Sequence, residues 1–111
     1  MLEAVNAIQQ FMAGHSLDEF LTDKLLQSAV ERQFEILGEA ASHVSTATQT
    51  AWPDIDWREA KSFRNLIAHE YFRVDYATIW HVIQVTLPPM QPALEAAFNA
   101  LDQQFGPGTS V

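Results

Sequence analysis

Apolar residues recur along this chain at intervals of three and four, and no segment alternates apolar with polar as a half-buried strand would. Over residues 2–13, Leu2, Val5, Ile8 and Phe11/Met12 share one face of a helix that Gly14 ends. Ser16 followed by Asp18 and Glu19 reads as a cap with acids in the first turn. A short turn, Ser16–Phe20, leads to Thr22, a second cap. From Asp23 to about Ser45 the pattern predicts a long amphipathic helix, with Leu26, Val30, Phe34, Leu37, Ala41 and Val44 on its buried side. Glu31, Glu35 and Glu39 form a row on another face, the usual mark of a solvated surface. Gly38 costs roughly 1 kcal/mol relative to Ala inside a helix, so its presence there predicts a close helix–helix approach.

The Ser45–Pro53 stretch is polar and β-branched and reads as a loop. Asp56 is placed to cap a helix from Trp57 to about Tyr71, with Glu59 at the position of a capping box. Phe72–Val74 connects it to a helix capped by Asp75 and running through Leu87, with Tyr76, Ile79/Trp80, Ile83 and Leu87 apolar. Pro88 and Pro89 are expected to kink or break that helix. Leu94, Ala97/Phe98, Leu101 and Phe105 continue it in register. The pattern predicts an all-α fold, an antiparallel up-and-down bundle of four main helices with a kinked C-terminal helix. Residues 1–105 read as a single domain and 106–111 as a flexible tail.

Composition sharpens this picture. With 111 residues, 48% of them hydrophobic, the chain can bury a core without staples. It contains no cysteine, so disulfides, thiolate metal sites and cysteine nucleophiles are excluded. No run of about 18 apolar residues and no basic leader with an apolar segment is visible, so the expected location is the cytoplasm. The net charge of −8 argues against coating nucleic acid by bulk electrostatics. Four of the six basic residues nevertheless lie between Arg58 and Arg73, a window carrying +2 on a remainder of −10. Such a segment can touch phosphate over a small area, or be an ordinary solvated face.

The densest chemistry is Arg64-Asn65-Leu66-Ile67-Ala68-His69-Glu70-Tyr71. At about 100° per residue, Trp57, Ala60, Arg64, Ile67 and Tyr71 share a face, while Arg64 and His69 lie about 140° apart. Two groups so placed converge poorly on one phosphate within one chain. Either the helix distorts near its end or a second copy supplies the missing half, and a two-fold dimer fits better. The residue types suit metal-independent RNA cleavage. His69 can take the 2′-hydroxyl proton, Arg64 can hold the phosphate as charge builds, and the other chain's His69 can protonate the leaving oxygen. Asn65 can orient His69 or donate to phosphate, and Tyr71 can donate a hydrogen bond or stack on a base. His15, His43 and His81 lack partners at metal-ligand spacing, no His-Glu-x-x-His is present, and no metal or cofactor is expected. Glycine-rich phosphate loops and nucleophile elbows are likewise missing. Trp52, Trp57 and Trp80 read as core or interface anchors.

The string Phe63–Phe72 resembles the Arg-x4-His-x-Tyr signature of HepT-like proteins of the HEPN superfamily. Ser16–Leu21, Phe34–Ala41 and Trp52–Trp57 resemble, in order, that family's first connection, second-helix motif and approach to the third helix. The resemblance therefore covers nearly the whole chain. Two features depart from the pattern: a first helix a turn or two short, and Arg73 where a small residue is common. The resemblance implies a dimeric helical bundle acting as the ribonuclease toxin of a toxin–antitoxin pair, with a minimal nucleotidyltransferase as antitoxin. It matches Arg64 and His69 to the catalytic pair, Asn65 to the polar residue after the arginine, and Tyr71 to the tyrosine the antitoxin modifies with AMP. AMPylation there would add negative charge beside the site and repel RNA. Glu39 can buttress the site from the second long helix, though a solvated carboxylate is the reading its row of acids favours. The competing readings are a non-catalytic helical module that docks a nucleotidyltransferase or nucleotide, and a plain structural bundle.

Overall fold

A computed structural model describes residues 1–68 and 75–105, all of whose regular structure is helical. Helix α1 spans Leu2–Met12, α2 Leu17–Thr22, α3 Lys24–Ser42, α4 Thr46–Ala51 and α5 Trp57–Ala68. Helix α6, Tyr76–His81, passes through a wide π turn, Val82–Thr86, into α7, Leu87–Phe105. The expected all-α class is the observed one, and the four main helical stretches are α1, α3, α5 and the α6–α7 rod.

Local signals set most boundaries. Gly14 at φ +79° supplies the left-handed residue that turns the chain after α1. Ser16 caps α2 with a reciprocal capping box: its hydroxyl accepts from Glu19 N–H and the Glu19 carboxylate accepts from Ser16 N–H. Asp23 caps α3 by accepting from Leu26 N–H at 3.0 Å. Asp56 accepts from Glu59 N–H at 3.0 Å, and Asp75 accepts from Thr78 N–H at 3.1 Å, as their positions predict.

Three expectations are corrected. The Ser16–Phe20 turn is instead the cap and first turn of helix α2, because the capping box satisfies two otherwise orphaned donors, and Asp23 rather than Thr22 caps the helix that follows. The Ser45–Pro53 segment contains α4, which Ser45 nucleates by accepting from Thr48 N–H. Pro88 and Pro89 do not break the rod at their own position. The disturbance lies one turn upstream, where Leu87 N–H reaches back five residues to the Val82 carbonyl. A proline ring crowds the carbonyl four residues before it. Those carbonyls belong to Gln84 and Val85, inside the widened turn, which gives the rings room.

Helix α3 is the centre of the packing. It lies against α5 and α1, α1 in turn meets α7, and α2 bridges α3 and α6. Val30, Phe34, Leu37 and Ala41 of α3 are fully buried with Val5 and Ile8 of α1, Ala60 and Phe63 of α5, and Ile79, Leu87, Leu94 and Ala97 of the rod. Phe34 meets Phe63 edge-on with ring centroids 5.2 Å apart. Trp57 is buried and donates its indole N–H to the Trp52 carbonyl at 3.0 Å, an anchor as expected. Among the described residues no helix is long and apolar enough to cross a membrane. His69, Tyr71, the Phe72–Val74 connection and the 106–111 tail, together with the side chain of Phe105, lie outside the described residues.

Candidate active site

Helix α5 buries Trp57, Ala60, Phe63 and Ile67 against α3. Arg64 follows Phe63 at the edge of that face, and its place is set by the residue opposite. A Cβ built on Gly38 would lie 2.5 Å from Arg64 Cγ and 2.7 Å from Arg64 N. Only glycine lets the α5 backbone come this near, so the close approach expected at Gly38 falls on the arginine itself.

The next residue on α3 holds the guanidinium. Arg64 Nη1 stands 3.1 Å from Glu39 Oε2, with both side chains about half exposed, at 53% and 52%. Exposed pairs of this kind add little to stability, so the contact matters for where it puts Arg64. The other oxygen of the same carboxylate, Oε1, meets His43 Nε2 at 2.9 Å, one helical turn further along α3. The His43 hydrogen bond, and after it the Arg64 charge, hold the Glu39 carboxyl below its ordinary 4.5. Glu39 is therefore ionised at neutral pH and bridges a histidine and an arginine.

Beside this pair runs an open groove of about 680 Å³, lined by Arg32, Glu35, Ile36, Glu39, Ala40 and Arg64. Its charges come in two Arg–Glu pairs, the second being Arg32 Nη1 to Glu35 Oε2 at 3.3 Å, with Ile36 and Ala40 as an apolar floor. Arg58 and Lys61 are exposed on α5 with Arg64, so three of the window's four basic residues form an exposed basic stretch.

Of the four motif residues Arg64, Asn65, His69 and Tyr71, the described structure contains two. Arg64 is at the groove and Asn65 is exposed beside it. His69 and Tyr71 lie outside the described residues, between the end of α5 at Ala68 and the cap of α6 at Asp75. Both flanks of that segment are tied to α3. Phe63 and Arg64 fix the α5 side, and on the α6 side the Tyr76 hydroxyl donates to Glu31 Oε1 at 3.2 Å. Burial, and then the Glu31 charge, push the Tyr76 phenol above its ordinary 10, so it keeps the proton it donates.

Two further groups belong to the Arg64 assembly: Glu39, which its row of acids marks as a solvated carboxylate, and His43, which has no partner at metal-ligand spacing in the sequence. The available signal was Gly38 immediately before Glu39, with His43 four residues on, where side chains on one helix face meet.

The sequence of the whole chain points the same way as this helical architecture. The HepT-like ribonuclease family model, "Ribonuclease HepT-like", matches residues 1–97, and the chain belongs to that family. It is 30% identical over 95 residues to "Putative RNase MJ1380" of Methanocaldococcus jannaschii, covering 86% of this chain and 87% of that one. It is 33% identical over 93 residues to "Probable ribonuclease HepT" of Thermococcus cleftensis, covering 84% of each. A third relative, "Gamma-glutamylcyclotransferase and putative RNase MJ0434" of M. jannaschii, is 29% identical over 103 residues, which span 93% of this chain and 46% of the relative. No solved structure matches the chain at a significant level.

Proposed function

We propose that this ribonuclease-family protein is a metal-independent endoribonuclease and the toxin of a toxin–antitoxin pair, cleaving RNA in the cytoplasm as a single domain over residues 1–105. The observation that carries the reading is Arg64, an always-charged fork held at a groove by a glycine-permitted helix contact and an ionised carboxylate. In the proposed reaction His69 takes the proton of the ribose 2′-hydroxyl, which attacks the neighbouring phosphorus. Arg64 neutralises the charge that builds on the phosphate oxygens. The leaving 5′-oxygen takes a proton from the His69 of a second copy, giving a 2′,3′-cyclic phosphate. Asn65 supports this chemistry from the exposed side of α5, and Tyr71 is the position at which a minimal nucleotidyltransferase antitoxin adds AMP. The helical offset of about 140° between positions 64 and 69 supports the two-copy arrangement.

The test is direct. Purified protein is incubated with RNA in EDTA beside Arg64→Ala and His69→Ala. Cleavage to cyclic phosphate ends by the wild type alone is the expected result, and equal background from all three proteins would sink the proposal. Tyr71→Phe should keep activity and escape inhibition by the antitoxin; inhibition as strong as in the wild type would remove Tyr71 from the scheme.

A further inference from the structure

We infer that Glu39 is the positioning residue for Arg64, and that His43 sets Glu39 in turn, so that three side chains on two helices fix the guanidinium before RNA arrives. The inference rests on the reading of Arg64 as the phosphate-binding group. It stands on three geometric facts. Gly38 brings the Arg64 backbone against α3 and so puts the root of the side chain beside the first turn that can hold it. Glu39 is the very next residue, and its Oε2 lies 3.1 Å from Arg64 Nη1. His43 occupies Oε1 of the same carboxylate at 2.9 Å, so each oxygen has its own partner and the carboxylate plane is fixed from both sides.

Chemistry explains why such a device serves an exposed arginine. A guanidinium on a flexible stem loses rotamer freedom when it binds phosphate, and a carboxylate that restrains it beforehand removes part of that cost from the reaction. Arginine carries five N–H donors in a rigid fork, so contact at Nη1 is compatible with a phosphate contact through the other donors. Glu39 touches neither substrate nor reacting atoms in this scheme. It acts through Arg64 alone, and His43 acts through Glu39.

Two measurements on the whole protein decide the matter. In the first, the Arg64 guanidinium 15N resonances are identified by their loss in Arg64→Ala and compared between wild type and Glu39→Ala. Hindered Nη rotation in the wild type that becomes free in Glu39→Ala is expected, and identical signals would overturn the assignment whatever the activity. In the second, RNA cleavage kinetics in EDTA are compared for wild type, Glu39→Ala, Glu39→Gln and His43→Ala. Glu39→Ala should lower kcat by about 10- to 100-fold with little change in KM, the signature of a misplaced group. Glu39→Gln, whose amide oxygen still accepts from Arg64, should recover most of that loss. His43→Ala should fall in the same direction by less, and a wild-type kcat there removes His43 from the device. Melting temperatures should not move, because the pair is half exposed; a loss of kcat that tracks a lost melting temperature would overturn the positioning role. A wild type that cleaves no RNA would defeat the ribonuclease reading and leave the resonance comparison to judge Glu39.

Discussion

Gly38 and Arg64 are in backbone-level contact: a methyl group at position 38 would sit 2.7 Å from the Arg64 amide nitrogen. Substituting Gly38→Ala gains up to about 1 kcal/mol of helix propensity but forces α3 and α5 apart, and such overpacking costs about 1–3 kcal/mol. A net loss of about 1–2 kcal/mol is expected, with RNA cleavage reduced further because Arg64 moves with its backbone. Urea denaturation and cleavage assays on the same preparation check both; a stabilised, fully active protein would mean the contact is slack.

The Phe34–Phe63 pair joins the same two helices below the site. Both rings are fully buried, so Phe34→Ala should cost about 3–5 kcal/mol, the range for deleting a buried aromatic. The same substitution in a Phe63→Ala background should cost less, because the edge-to-face contact has already gone. A double-mutant cycle by chemical denaturation measures the difference, and strict additivity would contradict the contact.

On the α6 side, Tyr76→Phe removes the donor to Glu31 and should cost about 1 kcal/mol, since the bond is only partly buried. It should also change behaviour in alkali. The phenol is raised above 10, so the fold favours the protonated form; that stabilisation is complete below 10 and is lost as pH rises through the higher folded value. Melting curves taken upward in pH through the alkaline range should therefore fall more steeply for wild type than for Tyr76→Phe.

Acid should act on the capping box. The Glu19 carboxyl is lowered from 4.5, first by the Ser16 N–H and then by His15. A depressed carboxyl contributes stability above its unfolded value, and that contribution is lost as pH falls through the lower folded one. Glu19→Gln should lower the melting temperature slightly at neutral pH and converge on wild type as pH falls below the lowered folded value. A constant gap across the acid range would show that the charge on Glu19 does not stabilise the helix start.

The sequence by itself determined the long helices and their buried faces. Spacing of three and four at Leu26, Val30, Phe34, Leu37 and Ala41 places five side chains on one stripe whatever they pack against, and all five are buried. Caps at Ser16, Asp56 and Asp75 were legible because a side chain three residues from an orphaned N–H satisfies it locally. The π turn was not legible, because Ile79, Ile83, Leu87 and Met90 keep an α-like spacing through it and only the Leu87–Val82 hydrogen bond reveals it. Nor could local pattern say what Glu39 does. A glutamate on a solvated row and one that pairs with an arginine from another helix are the same residue at the same spacing. The difference is made by α5 arriving across Gly38, 26 positions along the chain from Arg64, and only tertiary packing brings those two together.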